Sequence, residues 1–203
     1  MDFSILKNFI VLEGLDGSGT STQLEYFEKK LQELGINHIC TFEPTDNSVG
    51  KLIRSILKGQ NKIEHETMAL LFAADRMEHL NSKNNGILNH IKKGKIVICD
   101  RYIFSSIAYQ SINCSPEWVL SINQFPLPEH LIFIDTPPEE CEKRMNSREL
   151  KEIYENLDFQ KKVYNGYLKS IDKFSNTDMN VHIINGMDTQ ENIFKQIWKK
   201  LNI

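Results

Sequence analysis

The sequence predicts an α/β protein, a five-stranded parallel sheet flanked by helices on both faces. Three observations carry this. Short apolar runs recur at 9–12, 38–42, 95–99, 131–134 and 181–184, the length of buried strands. Helical periodicity fills several of the intervals, and strands alternating with helices build parallel sheets covered on both sides. A glycine-rich stretch, "EGLDGSGTSTQ" (13–23), falls directly after the first strand and opens the first helix.

Taken in order, "FIVL" (9–12) is followed by "TSTQLEYFEKKLQELG", where Leu24, Phe27, Leu31 and Leu34 form a helical stripe and Gly35 is a stop signal. After the strand at 38–42, residues 66–80 hold Leu70, Leu71, Phe72 and Met77 in a similar helical setting. The strand at 95–99 leads to "SSIAYQ" (105–110), a helix start with Ser105 as cap. Beyond the strand at 131–134, residues 144–156, "RMNSRELKEIYEN", are polar and charge-dense, a solvated helix face or a mobile lid. Asp158 to Phe174 read as a helix, then comes the strand at 181–184. The last helix, Gln190 to Leu201, carries Ile193, Ile197 and Leu201 at i, i+4 and i+8. No repeat appears, and 203 residues suit one domain, 1–203.

Composition excludes several classes. The apolar runs are far too short to span a bilayer, and "FIVL" is shorter than a signal-peptide core. Cys40, Cys99, Cys114 and Cys141 are scattered without C-x-x-C spacing, which suits reduced thiols and a cytoplasmic location. A net charge of −3 argues against nucleic acid as a partner, so an anionic ligand needs a local cationic cluster. Only five of the 24 basic residues are arginine: Arg54, Arg76, Arg101, Arg144 and Arg148. The guanidinium fork suits bidentate contact with phosphates and base edges, so sparing use suggests placement where geometry matters. About two of the five are expected to form surface ion pairs.

The glycine-rich stretch matches G-x-x-x-x-G-K-[ST] at Gly14, Gly19 and Ser21, with Thr20 where lysine is usual. Gly14, Gly17 and Gly19 let backbone N–H groups turn inward, forming an anion nest at the positive end of the helix. Ser21, with Thr22 as second choice, offers a hydroxyl for magnesium. Loss of one preorganised donor at such a site costs about 10²–10³ in rate, so charge must be supplied elsewhere or turnover is weak.

Together with this loop, "ALLFAADRMEH" (69–79), "CDRYIFSSIAYQ" (99–110) and "DTPPEECEKR" (135–144) resemble, in order and spacing, the motifs of the thymidylate kinase family, within the P-loop nucleoside monophosphate kinases. The resemblance runs essentially end to end. It implies transfer of the γ-phosphate of ATP to dTMP, giving dTDP and ADP, with Mg²⁺ and a homodimer built through helices. Phe72 and Arg76 match the pair that recognises thymine, and spacing i, i+4 puts both on one helix face. Arg101 matches the arginine on the acceptor phosphate. Asp100 matches the strand-end acid that orients magnesium, and Ser21 completes that metal pair. Asp16 matches the acid near the acceptor 3′-hydroxyl. Ser105, Ser106, Tyr109 and Gln110 match the stretch around sugar and base; Tyr109 would crowd the 2′ position, and Ser106 or Gln110 would bond the pyrimidine edge.

The phosphate loop, Gly14 and Gly17 to Thr22 with Ser18 among them, would hold ATP, together with Arg144. Asn185 to Asp188 match, weakly, the loop around the donor adenine. In relatives whose loop lacks an extra basic residue the lid supplies one. Here Arg148 is the candidate, with Lys151 behind it. Two departures stand out: Thr20, and "FEPT" (42–45), where Phe42 replaces the usual arginine while Glu43 and Pro44 remain. Lys51 and Arg54 are the nearby candidates to replace that arginine at the dTMP site. Both losses remove positive charge, so the alternative reading is a nucleotide-binding homologue with lost or very weak catalysis.

Overall fold

The computed structural model describes residues 3–145 and 156–201. Strand β1 (Ile5–Gly14) leads through the glycine-rich loop into helix α1 (Thr20–Glu33). Then come β2 (His38–Phe42), α2 (Ser48–Leu57), α3 (His65–Asn81), α4 (Ile87–Lys92) and β3 (Ile96–Asp100). The chain continues through α5 (Ile103–Gln110), α6 (Pro116–Ser121), β4 (Leu127–Asp135) and α7 (Pro138–Met145). It ends with α8 (Leu157–Lys173), β5 (Asn180–Asn185) and α9 (Gln190–Leu201). The five strands are all parallel, in the order β2-β3-β1-β4-β5.

Alternation along β1 shows how the sheet is clothed. Phe9 and Val11 point into one layer with Tyr102, Phe104, Val163 and Tyr167 from α5, α8 and the turn before α5. Ile10 and Leu12 point into the other, against Phe27 and Leu31 of α1 and Ile193 and Ile197 of α9. Adjacent strands β1 and β3 therefore send their following helices to opposite faces. Ligands in open α/β sheets gather where neighbouring strands diverge in this way, at the carboxyl ends.

The helix expected over 66–80 is α3, which buries Met68, Ala69, Asp75, Arg76, His79 and Leu80 and leaves Leu70 and Met77 50% and 53% exposed. Two local expectations are corrected. Leu34 is 50% exposed, because α1 has already ended and Gly35 turns the chain at φ +66°. Ser105 does not cap a helix: α5 has begun at Ile103, and the hydroxyl is drawn to the Glu13 carboxylate at 2.6 Å. The proposed lid also yields its ends to regular structure. Arg144 and Met145 finish α7, and Asn156 caps α8 by accepting the Phe159 N–H at 2.8 Å. The remainder, 146–155, with Arg148 and Lys151, lies outside the described residues.

Candidate active site

At the divergence of β1 and β3, two clefts meet. One runs along the glycine-rich loop from Leu15 to Gln23 and is closed by Arg144, Asp188 and Thr189. The other is walled by Glu43, Pro44, Arg54, Phe72, Arg76, Ser105, Ser106, Tyr109 and Gln110. Asp16 and Arg101 line both.

The loop adopts the backbone that a nest demands. Gly17 and Gly19 have φ of +85° and +103°, which side-chain-bearing residues rarely adopt. At Gly17 a Cβ would also sit 2.8 Å from the Cys141 carbonyl, so α7 leaves no room for one. Gly19 ends the loop as the residue before α1, and α1 points its positive end at the cleft. The Ser18 hydroxyl is buried in the loop without a protein partner. The Ser21 hydroxyl donates to Asp100 Oδ2 at 2.7 Å, while Asp100 Oδ1 is buried without a protein partner. A hydroxyl and a carboxylate with an unsatisfied oxygen form a hard-oxygen donor set, the kind Mg²⁺ takes beside phosphates. The residues fit the ion.

The second cleft is built on a buried arginine. Arg76, 1% exposed, donates from Nε and Nη2 to Glu43 at 2.9 and 2.7 Å, from Nη2 to Ser106 at 3.1 Å, and from Nη1 to Asn123. Its guanidinium lies against the Tyr102 and Phe125 rings, 5.1 and 5.7 Å from their centroids. The other Glu43 oxygen is 3.1 Å from His79 Nδ1. Immediately before Arg76 on α3, Asp75 accepts from the Thr45 N–H at 2.7 Å and its hydroxyl at 2.6 Å. The 43–45 segment is thus tied to α3 by two carboxylates, one at each end. Arg54 reaches back from α2 to the carbonyls of Pro44 and Thr45 at 2.6 and 2.7 Å, lying over the Phe42 ring.

At the junction Arg101 donates to Asp16 at 2.6 Å and to Ser105 and Tyr167 at 3.3 and 3.2 Å. Its φ of +70° is one of two positive values at non-glycine residues among those described, stabilised by an N–H bond to the Leu12 carbonyl at 2.8 Å. The Tyr109 hydroxyl donates to the second Asp16 oxygen at 2.9 Å, and burial and the Asp16 charge raise that phenol's pKa. Beneath them is Glu13, fully buried. It accepts from the backbone N–H of Tyr102 (2.8 Å) and Ser105 (3.1 Å) and from the hydroxyls of Ser105 (2.6 Å) and Tyr167 (3.0 Å). Burial pushes its carboxyl up to about 7, against the downward pull of these donors and Arg101.

Residues 12–197 match the family model described as thymidylate kinase. The chain belongs to the thymidylate kinase family. It is 44% identical over 166 residues to a putative thymidylate kinase of Treponema pallidum, spanning 81% of this chain and 79% of that protein. A probable thymidylate kinase of Methanococcus aeolicus is 41% identical over 200 residues, 97% of this chain and 96% of that one. A third, from Pyrococcus abyssi, is 41% identical over 198 residues, 93% of each.

For a member of the thymidylate kinase family, the motif residues converge. Gly17, Ser18, Gly19, Thr20, Ser21, Thr22 and Arg144 line the loop cleft, with Gly14 buried at the end of β1. Glu43, Pro44, Arg54, Phe72, Arg76, Ser105, Ser106, Tyr109 and Gln110 line the other. Asp100 lies at the end of β3, bonded to Ser21. Lys51 is exposed on α2 and outside the cleft lining, whereas Arg54 is in it. Of the adenine-loop candidates Asp188 reaches the loop cleft, and the Gly186 carbonyl holds Arg144 at 3.0 Å. Sequence reasoning missed Glu13, Asn123, Gln160 and Tyr167. A signal existed for Glu13, an acid that follows the apolar run of β1, and for Gln160, whose side chain reaches Asp16 at 3.3 Å from the same buried side of α8 as Val163 and Tyr167.

Proposed function

We propose that this chain transfers the γ-phosphoryl group of ATP to dTMP, with the two nucleotides meeting across Asp16 and Arg101. The observation that carries this is the shared wall: one cleft has the fittings for phosphates, the other for a base and sugar, and these two residues belong to both. In this reading the loop N–H groups hold the ATP phosphates, and Ser21 and Asp100 would hold Mg²⁺, which would supply charge neutralisation at the phosphates. The base of dTMP lies against Phe72, with Arg76, Ser106 and Gln110 at its edge. Tyr109 excludes a 2′-hydroxyl, and Asp16 meets the 3′-hydroxyl. Glu43, Pro44 and Arg54 complete the wall. Arg101 turns part of its fork from Asp16 to the acceptor phosphate. That phosphate is already anionic, so transfer needs positioning and charge rather than a strong base.

Because Thr20 lacks a charge, Arg144 and the lid's Arg148 are assigned the transition-state charge. A well-placed arginine contributes as much as 10³–10⁵ in rate. The same reading includes one domain, a cytoplasmic setting and a homodimer. The described residues build one sheet, and all four cysteines are free thiols. No helix among the described residues is long and apolar enough to cross a membrane. For the dimer, Leu70 and Met77 stand exposed two turns apart on one side of α3.

The test is ADP release with ATP, Mg²⁺ and dTMP, for wild type, Arg101→Ala and Arg148→Ala. The reading requires dTMP-dependent release that drops about 10²-fold or more in each variant. Release that ignores dTMP, or full activity without Arg101, refutes it. A silent wild type restored by Thr20→Lys would mark a nucleotide binder that has lost catalysis.

A further inference from the structure

Away from both clefts, three side chains with metal-binding chemistry converge where α1 crosses β2. His38 and Cys40 are two residues apart on β2, so both project from one face of this edge strand. Glu28 comes down onto them from α1. The Glu28 carboxylate, an imidazole nitrogen and the Cys40 sulfur all lie within 4.8 Å of one another. His38 Nε2 is 3.4 Å from Glu28 Oε2. A tetrahedral zinc ion with bonds of about 2.0–2.1 Å to nitrogen and oxygen separates those ligands by about 3.3 Å, so that edge is already set.

The imidazole is also oriented. His38 Nδ1 lies 2.6 Å from the Ile36 carbonyl, so Nδ1 carries the proton and the Nε2 lone pair faces Glu28 and Cys40. A backbone carbonyl holding the distal nitrogen is the usual outer support of a metal-bound histidine. Glu28 is half exposed, which leaves an entry path and an open coordination position. The thiol makes a long contact to the Leu24 carbonyl, at 3.9 Å, and burial and the neighbouring Glu28 carboxylate raise its pKa, so a metal ion must displace its proton. A second trio, Glu43, His79 and Cys99, is equally compact but fully buried, and Arg76 already neutralises its carboxylate. That one has neither a path nor a free anion.

We propose that Glu28, His38 and Cys40 form a zinc site with three protein ligands and a fourth position open to water or an external donor. Binding removes the thiol proton to solvent and forms the metal–sulfur bond. Thiolate and carboxylate then balance the 2+ charge. The ion would join the helix that starts at the phosphate loop to the strand that leads into the 43–45 segment.

The test uses the full chain, metal-free and reduced, titrated with Co²⁺ as the spectroscopic substitute for Zn²⁺. Expected are a sulfur-to-cobalt charge-transfer band and tetrahedral ligand-field bands that saturate at one equivalent and disappear on adding Zn²⁺. Cys40→Ser abolishes the charge-transfer band, and Cys114→Ser leaves it intact. The stacked His130–His182 pair, 3.0 Å between ring nitrogens, could hold cobalt but supplies no sulfur. Should Cys40→Ser misfold, the surface change Glu28→Gln provides the second reading, a cobalt affinity at least about tenfold weaker with circular dichroism unchanged. A wild type with no thiolate band, a band that survives Cys40→Ser, or a Glu28→Gln variant that binds cobalt as tightly as wild type overturns the proposal.

Discussion

Replacing Arg76 with methionine tests whether the acceptor cleft is held up by its buried cation. The substitution keeps an unbranched chain of similar bulk among the Tyr102 and Phe125 rings but removes the charge. Glu43 is 5% exposed, so its carboxylate would be left with His79 alone. Removing one member of a buried ion pair costs about 3–5 kcal/mol, because the survivor is desolvated and unpaired. Ser106 and Asn123 each lose a donor as well, adding on the order of 1 kcal/mol apiece. These terms share partners and do not simply add, so the expected loss is about 4–6 kcal/mol. Set against a total stability of about 5–15 kcal/mol, that brings the chain close to unfolding. The double variant Glu43→Gln/Arg76→Met removes both charges, and should therefore be at least about 2 kcal/mol more stable than the two single losses summed. Urea unfolding of the four proteins, read by circular dichroism, closes the cycle. Losses that add within about 0.5 kcal/mol, or an Arg76→Met variant within about 1 kcal/mol of wild type, would refute the reasoning.

Other outcomes follow from the same geometry. Glu13 holds a proton in the folded state up to about pH 7, whereas the unfolded chain releases it near 4.5. Stability therefore falls as pH rises through that window, by on the order of 3 kcal/mol at full ionisation. Urea midpoints at pH 5 and 8 should differ less in Glu13→Gln than in wild type; parallel pH profiles would contradict it. Gly17→Ala forces a side chain to φ +85° and against the Cys141 carbonyl, so stability should drop by about 1–3 kcal/mol and the KM for ATP should rise. Because Arg144 and Arg148 are proposed to supply the missing loop charge, Thr20→Lys should change turnover by less than about tenfold in steady-state assays. A rise of about tenfold or more would mean that they do not supply it.

The fold was legible because every expected strand coincides with an observed one: 38–42 is β2 itself, 95–99 is β3 displaced by one residue, and 9–12, 131–134 and 181–184 lie inside the longer β1, β4 and β5. The run at 131–134 is the fully buried part of β4, whose start at Leu127 pairs with Ile5 only after a register shift in β1. Helices α2, α4, α6 and α7 are six to ten residues long, too short for periodicity to stand out. On α3 the inward positions Asp75, Arg76 and His79 stand beside Met68, Ala69 and Leu80, so apolar pattern alone does not mark its buried side. In the site, residues next to the glycine-rich loop or within a motif could be named from local order. Glu13, by contrast, has partners 92 and 154 residues away, and nothing local announces Tyr167 or Asn123 as polar supports.

The two charge losses look different once the cleft walls are known. Phe42 stands where the family usually has arginine, yet its ring, 5.3 Å from the Arg54 guanidinium, is a shelf for a cation arriving from α2. Arg54 lines the acceptor cleft, and Arg76 and Arg101 line it too. Arg144, bridging Glu140 and the Gly186 carbonyl, lines the donor side. Arg54 and Arg144 do form partly exposed ion pairs, with Asp46 and Glu140, and still face the clefts. Every arginine among the described residues thus borders one of the two clefts, in a chain whose other 19 basic residues are lysines. Arginine stays charged at any working pH and bonds phosphate through two N–H groups at once, which the lost loop lysine could not do. If, as proposed, the cleft with Arg54, Arg76 and Arg101 takes the acceptor, positive charge there has been relocated rather than lost. In the loop cleft the proposed balance rests on Arg144 and Arg148, which makes Arg148→Ala the discriminating variant.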